Sequence, residues 1–540
     1  MREFSVSIGS HIESGLRPDD RLPVNSGFMT TMQNIRLMRI AGRYSASVFS
    51  PPPSPFSSGY LAGLSPAVTV SHPFPQIFKG SGGTLMASPN AIYSVSESTS
   101  WTVSKYTLVD AYDVGTEQSL LGGYSWHFAD FGSTWMLVNG NAVVFKTAAD
   151  TMFGAAANIR ATSSIMPQTC CAFRGRMVMG GFVGSTGMWN ERWETVLRSI
   201  FDLGLGIKFP SAPGTNYVWW SQIGDGGLFL IYPDMYINGL IGIDTDKPYG
   251  EDNQMFWDMV QRNEMGFMPM RWQGTVYKTL PLGNGIMVYG SNGVSYMPKR
   301  ENTFGLVDIL PYGVAGRSAA GGTDKEHVFV DSSGTLWKID ENMANNGVAK
   351  KLGFTEFFDD MLGTDITISH DPLDDEYHVA NSSLCYILSG DRLTGSTFLT
   401  TSTAVSLGVL VGLYSRPTSD TKDYAILTTD IIDLGIRGTK CLERVVISSI
   451  NTAMVSVAVY WRNKSDATWA LTPYRVTNNE GVAYFPISAL EFKIVVRCTD
   501  YTKVDFDDVD LQFKVTDKRI VRGTYALKYK GGHNAGEDVQ

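Results

Sequence analysis

The alternation of apolar and polar positions between about residue 84 and residue 390 forms a paired-strand unit that recurs at least seven times. Each copy is an apolar strand, a tight turn of polar residues or glycine, and a second strand that usually carries an aromatic residue. The copies follow one another at intervals near 40 to 60 residues and are GTLMASPNAIYSV from 83, STWMLVNGNAVVF from 133, RMVMGGFVGSTGMW from 176, GLFLIYPDMYINGLIGI from 227, GIMVYGSNGVSYM from 285, HVFVDSSGTLWKI from 327 and EYHVANSSLCYIL from 376. This spacing matches one four-stranded blade and predicts an all-β fold with a β-propeller of about six or seven blades.

Further strands are predicted just upstream of several of these hairpins, which brings each blade to three strands. They are 124–131, 169–173, 217–223, 275–282 and 365–370. In the copy from 285, both faces are apolar, as expected for blades that pack face to face. A β-sandwich is the competing interpretation, but two sheets would not readily use seven similar hairpins.

Three short helices are predicted between the strands, at 191–201, 252–260 and 355–362. Trp193, Val196, Leu197 and Ile200 recur at the spacing of three and four residues that places them on one helix face. A stripe of this kind favours core packing, with a partner-binding face as the alternative.

The pattern changes after about residue 400, where the strands become longer. Apolar and polar residues alternate with a period of two in segments such as 454–462 and 508–516. This pattern predicts an antiparallel sandwich whose sheets have one buried and one solvent-exposed face. We therefore predict a jelly-roll-like β-sandwich that follows the propeller. The predicted strands are 423–435, 442–450, 454–462, 481–487, 492–498 and 508–516.

The two ends of the chain differ from both predicted domains. PPPSPFSSG at 51–59 is a connector that neither a helix nor a central strand tolerates. We therefore predict that residues 1–80 form an extended arm followed by this linker, and that the arm becomes ordered only against a neighbour. The predicted organisation is an N-terminal arm and linker at 1–80, a propeller at 81–402, a sandwich at 403–525 and a flexible tail at 526–540.

The amino-acid composition narrows the classes of protein to which this chain could belong. The chain has 540 residues, 43% of them hydrophobic and 18% charged, and its net charge of −9 disfavours a surface that neutralises phosphates. Its five cysteines form no CxxC pair, which indicates free thiols and folding in a reducing cytoplasm. The N-terminus has no signal-peptide pattern, and the longest apolar run, at 404–414, is too short to span a bilayer.

Candidate chemistry is sparse. The sequence has no GxSxG elbow, P-loop, HExxH or dinucleotide fingerprint, so we expect no enzymatic activity, no cofactor and no metal ion. HDPLDDEYH at 370–378 could hold a cation but favours a solvated turn. FVDSSGTLW at 329–337 approaches the repeated turn of sialidases, yet it occurs once with altered spacing and favours a hairpin turn.

The order of the parts resembles one family. An N-terminal arm with RLPVNSGFMTTMQNIRL (21–37), a propeller and a sandwich follow one another, and three blade segments are also similar: NYVWWSQIGD (216–225), GNGIMVYGSNGVSYM (283–297) and ISHDPLDDEYHVA (368–380). These resemble tail nozzle proteins of short-tailed bacteriophages, also called tail hub, tail tubular protein B or packaged-DNA stabilisation proteins. The resemblance spans most of the chain.

The resemblance implies a structural virion protein. Nozzle proteins form a hexameric ring below the portal and its adaptor, extend the DNA channel, and retain the packaged genome until ejection. The implied partners are five further copies, the portal–adaptor ring, other tail proteins such as a fibre or spike, and double-stranded DNA that passes without sequence-specific binding. The implied location is the phage tail, with assembly in the cytoplasm of the host bacterium.

Candidate functional residues follow from this hypothesis. Two long glycine-rich segments, 202–216 and 299–322, are candidate channel-gate loops, since function usually lies in loops of a regular fold. Their chosen residues are Gly204, Pro210, Gly214, Phe304, Tyr312 and Gly316. The candidate assembly contacts, in the arm and the basic C-terminal segment, are Arg21, Val24, Asn25, Phe28, Arg519 and Arg522.

Two other functions stay open. A receptor-binding or glycan-degrading tail protein would use exposed tryptophans as stacking platforms, with candidates Trp219, Trp220, Trp272, Trp337 and Trp461. A cellular propeller scaffold for protein partners is the second, although the chain lacks WD and kelch signatures.

Overall fold

The protein is almost entirely β-structure, which confirms the predicted all-β class. The computed structural model describes residues 2–18, 27–40, 43–49, 58–96, 102–110, 124–132, 134–147, 153–155, 166–183, 215–221, 223–224, 266–301, 303–406, 409–415, 425–436, 438–449, 454–498 and 505–515.

Two compact units divide the chain. The first, called the sandwich unit, consists of Met1–Pro52, Asp374–Leu399 and Arg416–Gln540. The second, called the propeller unit, consists of Pro53–Leu373 and Thr400–Ser415.

The first sheet of the sandwich unit contains the strands β1 (Arg2–Ser7), β3 (Ile35–Ile40), β4 (Arg43–Val48), β34 (Lys440–Ser449), β38 (Val482–Ala489) and β40 (Asp505–Val515), numbered in chain order. Its order is β3–β4–β40–β34–β38, and β1 also pairs with β40. Along β40, Val509, Leu511 and Phe513 are buried while Asp510 and Gln512 are half-buried, so this strand follows the predicted alternation.

The second sheet of this unit contains β2 (Met29–Gln33), β28 (Glu376–Ala380), β29 (Cys385–Ser389), β30 (Arg392–Ser396), β33 (Ala425–Thr429), β35 (Val455–Arg462), β36 (Ala470–Leu471), β37 (Arg475–Val476) and β39 (Glu491–Cys498). Its order is β28–β29–β30–β2–β33–β39–β35–β36, with β37 also on β35. Phe492 and Phe513 meet at 5.4 Å between their ring centroids, which joins the cores of the two sheets into a sandwich. The first five residues of β35 are all buried, so its predicted wet face is absent there.

The predicted N-terminal arm requires a correction. β1 pairs with β40 over six register positions, and β2 lies between β30 and β33. Residues 2–18, 27–40 and 43–49 therefore belong to the sandwich unit and do not form a separate arm. The physical reason is that their backbone donors and acceptors are satisfied by strands from the far end of the chain.

Five sheets of four or five strands form most of the propeller unit. The first is β5 (Gln76–Gly80), β6 (Gly83–Ala87), β7 (Ile92–Ser96) and β8 (Thr102–Lys105). The second is β9 (Leu108–Asp110), β10 (His127–Asp130), β11 (Thr134–Val138), β12 (Val143–Thr147) and β13 (Phe153–Ala155), with β9 parallel to β13. The third is β14 (Met166–Phe173), β15 (Arg176–Val183), β16 (Tyr217–Trp220) and β17 (Gly266–Pro269).

The remaining strands complete this unit. The fourth sheet is β18 (Val276–Leu282), β19 (Gly285–Gly290), β20 (Val294–Arg300), β21 (Thr303–Phe304) and β22 (Val307–Leu310). The fifth is β23 (Ala320–Gly322), β24 (Glu326–Val330), β25 (Leu336–Asp340) and β26 (Lys350–Gly353). β27 (Thr367–Asp371) follows, and β31 (Leu399–Ser406) with β32 (Val409–Ser415) form a hairpin.

Six strands, here called the inner strands, follow one another around a closed ring: β5, β10, β14, β18, β23 and β27. The first five are linked one to the next by a side-chain or backbone contact, while β27 is linked to the segment before β23 and to the segment before β5. The links are Phe78–Phe128 ring stacking at 5.3 Å, Cys170 Sγ to His127 O at 3.4 Å, Thr169 Oγ1 to Thr279 Oγ1 at 3.2 Å, Lys278 Nζ to Ala320 O at 2.6 Å, Ile368 N to Ser318 O at 3.1 Å, and His72 Nε2 to Thr367 Oγ1 at 2.7 Å. This ring is the architecture of a β-propeller, in agreement with the predicted fold.

Four of the predicted hairpins form as expected in the propeller unit, at β6–β7, β11–β12, β19–β20 and β24–β25. The hairpin from 376 forms as β28–β29 but belongs to the sandwich unit, which corrects its predicted place in the propeller. The strand from 176 pairs with β14 before it, and its predicted second strand lies outside the described residues, as does the hairpin from 227. The segment at 217–223 was predicted as the strand before that hairpin. It is instead the third strand of its sheet, because Val178 faces Trp220 in the ladder.

The described helices are short. They are α1 (Gly9–Ser14), α2 (Ser58–Ala62), α3 (Glu341–Asn345), α4 (Thr355–Phe358) and a 3₁₀ turn at Asp359–Met361. The last two confirm the prediction at 355–362, whereas the helices predicted at 191–201 and 252–260 lie outside the described residues. Within the described part of the chain, no helix has the length and apolar character needed to cross a membrane.

Candidate functional site

A cavity of about 230 Å³ lies among the inner strands of the propeller unit and is here called the axial cavity. Five inner strands, β5, β10, β14, β18 and β27, contribute its walls together with Trp126 before β10 and the loop before β23. The lining residues are Gln76, Ile77, Phe78, Trp126, His127, Phe128, Cys170, Lys278, Thr279, Leu280, Ser318, Thr367, Ile368, Ser369 and His370.

Lys278 supplies a charged group of this cavity. Its Nζ donates a hydrogen bond to the carbonyl oxygen of Ala320 at 2.6 Å, which links β18 to β23. Burial lowers the pKa of Lys278 from its ordinary value of 10.5 to about 8. The ammonium is thus held in a place where its charge is poorly solvated.

His127 lies on the neighbouring wall and is 6% exposed. Burial, followed by the positive charges of Lys278 and Arg317, lowers the pKa of His127 well below its ordinary value. Its Nδ1 has no hydrogen-bond partner among the described residues. The imidazole is therefore neutral near pH 7 and carries an unused polar atom.

Cys170 is a third titratable side chain in the wall of the axial cavity. Burial is the main cause that raises the pKa of Cys170 well above its ordinary value, and its Sγ donates to the carbonyl oxygen of His127 at 3.4 Å. The cysteine is therefore a protonated, poorly nucleophilic thiol. It fills the wall of the cavity and links β14 to β10.

The candidate channel-gate residues do not form one site. Gly204, Pro210 and Gly214 lie outside the described residues. Phe304 is 5% exposed and packs between Phe173 and Trp220, so its side chain belongs to the core between sheets and is unsuitable as a gate.

Two candidate gate residues are at least partly exposed, and their role stays a prediction. Tyr312 is 38% exposed, and Gly316 lies further along the same connection between β22 and β23. Among the candidate assembly contacts, Phe28 is half-buried in the bend before β2. The others lie outside the described residues, and they are Arg21, Val24, Asn25, Arg519 and Arg522.

The acidic segment at 370–378 is built into the fold. Asp371 is buried and accepts from the backbone nitrogen of Leu373 at 2.9 Å, which is the turn that the sequence favours. Asp374 and Glu376 accept from the Arg36 guanidinium at 2.5 and 2.7 Å. Among the described residues, no group of three His, Cys, Asp or Glu side chains is arranged to hold a metal ion.

The single sialidase-like segment is a turn. The Asp331 carboxylate accepts from the backbone nitrogens of Ser333 and Thr335, at 2.8 and 3.0 Å, and from Trp337 Nε1 at 2.7 Å. These bonds organise the connection between β24 and β25. The carboxylate is therefore occupied by structural hydrogen bonds.

The predicted stacking platform requires a correction in two places. Trp219 and Trp220 are 1% and 2% exposed, and they pack on Phe267 at 4.6 Å and on Phe304 at 5.0 Å between ring centroids. They are core residues because β16 is the third strand of a sheet covered on both faces. Trp272, Trp337 and Trp461 are half-buried.

No pattern in the amino-acid sequence indicates the axial cavity. Its charged residue lies in TVYKTLPL, which is predicted as an ordinary strand. The available signal was a lysine on a strand otherwise suited to burial. His127 and Lys278 are 151 positions apart, so only the closed ring of strands brings them together.

Comparison with known proteins gives fold likeness only. No protein-family model matches the chain, and no curated protein matches it. Among solved structures, it is similar to PorZ of the type-IX secretion system of Porphyromonas gingivalis, with a TM-score of 0.34 and 8% identity over 67% of this chain and 36% of PorZ. The chain thus spans about a third of the length of PorZ.

Two further solved structures are similar at the same level. The WD40 β-propeller domain of Doa1 has a TM-score of 0.34 and 8% identity, over 65% of this chain and 96% of that domain. Apo AztD from Citrobacter koseri has a TM-score of 0.31 and 8% identity, over 65% of this chain and 82% of AztD. Likeness of this degree does not extend to function.

The lowered pKa of the half-buried Lys278 predicts a pH dependence of stability. The folded chain releases the Lys278 proton near pH 8, whereas the unfolded chain keeps it until about its ordinary pKa of 10.5. The unfolded state therefore binds more protons between these values, and stability should rise with pH by about 1 to 3 kcal/mol across the window. Guanidinium unfolding of the wild type and of Lys278→Met at pH 8 and pH 10 measures this.

The comparison between the two proteins removes the contribution of other groups. Lys440, whose pKa burial lowers to about 8, is present in both and adds the same slope to each. The extra rise should be confined to the wild type. Equal slopes in the two proteins would mean that Lys278 is solvated in the folded state.

Proposed function

We propose that this chain is a non-enzymatic subunit of the tail nozzle of a short-tailed bacteriophage, a ring that extends the DNA channel below the portal and adaptor. The observation that carries the proposal is the construction of the sandwich unit. Its two sheets take strands from the beginning, the middle and the end of the chain. A part that retains packaged DNA must resist force, and such a unit is suited to it.

The pairing of β1 with β40 joins two strands that lie far apart in the sequence. The ladder runs antiparallel from Arg2 opposite Val515 to Ser7 opposite Asp510. It continues with Ile8 N donating to Val509 O at 2.8 Å and Gly9 N donating to Asp508 Oδ1 at 3.0 Å. Separation of the first strand breaks several backbone hydrogen bonds, which makes the unit stiff.

The sequence adds two supports. The order of a propeller and a sandwich along the chain resembles nozzle proteins, and so do three blade segments and residues 21–37. The net charge of −9 means that six copies would carry six times −9, or −54. An acidic channel wall repels phosphates, so DNA can slide along it without sticking.

Assembly tests the proposal. The purified chain, mixed with the portal and adaptor proteins encoded in the same genome, should form a ring on the adaptor that electron microscopy shows with six-fold symmetry. Mass photometry should find added mass of six times 59.3 kDa, or about 356 kDa. The chain alone and the portal–adaptor complex alone are the controls.

Two results would overturn this function. One is a chain that stays monomeric and unbound at micromolar concentrations of the portal–adaptor complex. The other is saturable binding or cleavage of host surface polysaccharide by the purified chain, which would favour a receptor-binding or glycan-degrading tail protein.

A further inference from the structure

The Lys278 ammonium lies in the axial cavity without a carboxylate beside it. None of the described residues that line the cavity is an aspartate or a glutamate. Its hydrogen bond to Ala320 O uses one of the three N–H donors of an ammonium group. The charge of this half-buried cation is poorly solvated, and a bound anion would compensate for it.

The charge around the cavity is positive. Lys278 and Arg317 both act on His127, where they add to the effect of burial in keeping the ring neutral. Arg317 has compensation of its own, because it stacks over the Tyr124 ring at 3.4 Å from the centroid and is influenced by Asp365. The positive charge of Lys278 therefore dominates inside the cavity.

Neutral hydrogen-bonding groups surround this charge. Gln76 uses its Oε1 to accept from Trp126 N at 2.6 Å, which directs its amide nitrogen away from that bond. The hydroxyl groups of Ser318, Thr367 and Ser369 also line the cavity. An ammonium group together with several neutral donors suits an oxyanion, which accepts several hydrogen bonds at once.

The size of the cavity limits the ligand. About 230 Å³ corresponds to roughly eight water molecules at about 30 Å³ each. Pockets for drug-sized molecules start at about 300 Å³. We propose that the axial cavity binds a small oxyanion, either a phosphate or a carboxylate, through the Lys278 ammonium and the surrounding hydroxyl groups.

Equilibrium dialysis of the full chain against labelled inorganic phosphate tests this site. We expect saturable binding of one phosphate per chain. Lys278→Met, which keeps the length of the side chain and removes the charge, should weaken binding by about tenfold or more. The matched control is Lys325→Met, the same change at an exposed lysine of the same unit, which should bind as the wild type does.

Thermal unfolding supplies a second measurement. Phosphate at about a hundred times its dissociation constant should raise the midpoint of the wild type by roughly 5 °C relative to sodium chloride of equal ionic strength. Lys278→Met should lose this rise and still fold, since the change removes a poorly solvated charge and keeps the length of the side chain. Competition by acetate would identify a carboxylate as a second occupant, and failure of acetate to compete would assign the site to phosphate.

Three results would overturn the site. These are no saturable phosphate binding by the wild type, equal binding by Lys278→Met, and equal thermal shifts in both proteins, which would reflect a general salt effect. If Lys278→Met does not fold, Lys278→Gln takes its place, and the wild-type titration is decisive by itself. Anion binding in this cavity is independent of ring assembly.

Discussion

Replacement of Arg36 by methionine should lower the free energy of unfolding of the sandwich unit by about 3 to 5 kcal/mol. Arg36 Nε donates to Glu376 Oε2 at 2.7 Å and its Nη2 donates to Asp374 Oδ2 at 2.5 Å. The side chain of Glu376 is 1% exposed. The substitution would leave that carboxylate buried without its cation, whereas Asp374, at 40% exposure, would be solvated.

The same change at an exposed ion pair is the control. Arg271 Nη1 lies 3.1 Å from Asp308 Oδ2, and the two side chains are 66% and 41% exposed. Arg271→Met should cost about 1 kcal/mol or less, because water screens the pair. Urea unfolding of the full chain, followed by tryptophan fluorescence and far-UV circular dichroism, measures both variants. A loss at Arg36 no greater than that at Arg271 would show that Glu376 is compensated by other groups.

Arg36 also illustrates what could be predicted from the sequence. The hairpin repeat and the alternation after residue 400 are local patterns, so the propeller strands and the longer C-terminal strands could be assigned from them. The partner of a strand is not a local property. The strands β2, β3 and β4 fall within the predicted arm, and only distant pairing explains their burial: β2 lies between β30 and β33, and β4 joins β3 to β40.

The axial cavity illustrates the same limit for the site. Lys278, His127 and Gln76 come from three different sheets, and no spacing along the chain connects them. For the candidate channel gate, the sequence pattern suggested a loop where the structure has strands. A glycine-rich segment suggests a loop, yet 299–322 contains β21 and β22, and its Phe304 fills the space beside Trp220. Aromatic residues in such segments are as easily used for packing as for gating.

The second large expected effect on stability comes from the close contact of two neighbouring sheets in the propeller unit, at β15 and β18. Gly181 lies on β15 with φ of +70°, a conformation that favours glycine, and a Cβ at this position would overlap the carbonyl oxygen of Val276 on β18. Gly181→Ala should therefore lower the free energy of unfolding of the propeller unit by about 3 to 5 kcal/mol. Of this, backbone strain contributes about 1 to 2 kcal/mol, and the overlap contributes the rest.

Gly132 separates the two contributions. Its φ is +82°, and a Cβ there would have nothing within 4 Å, so Gly132→Ala introduces the strain without the overlap. The control should lose about 1 to 2 kcal/mol in the same urea unfolding experiment. The difference between the two alanine variants then measures how closely β15 and β18 approach. Equal losses would mean that the sheets move apart at no cost, and that the ring of inner strands is looser than the contact between Thr169 and Thr279 indicates.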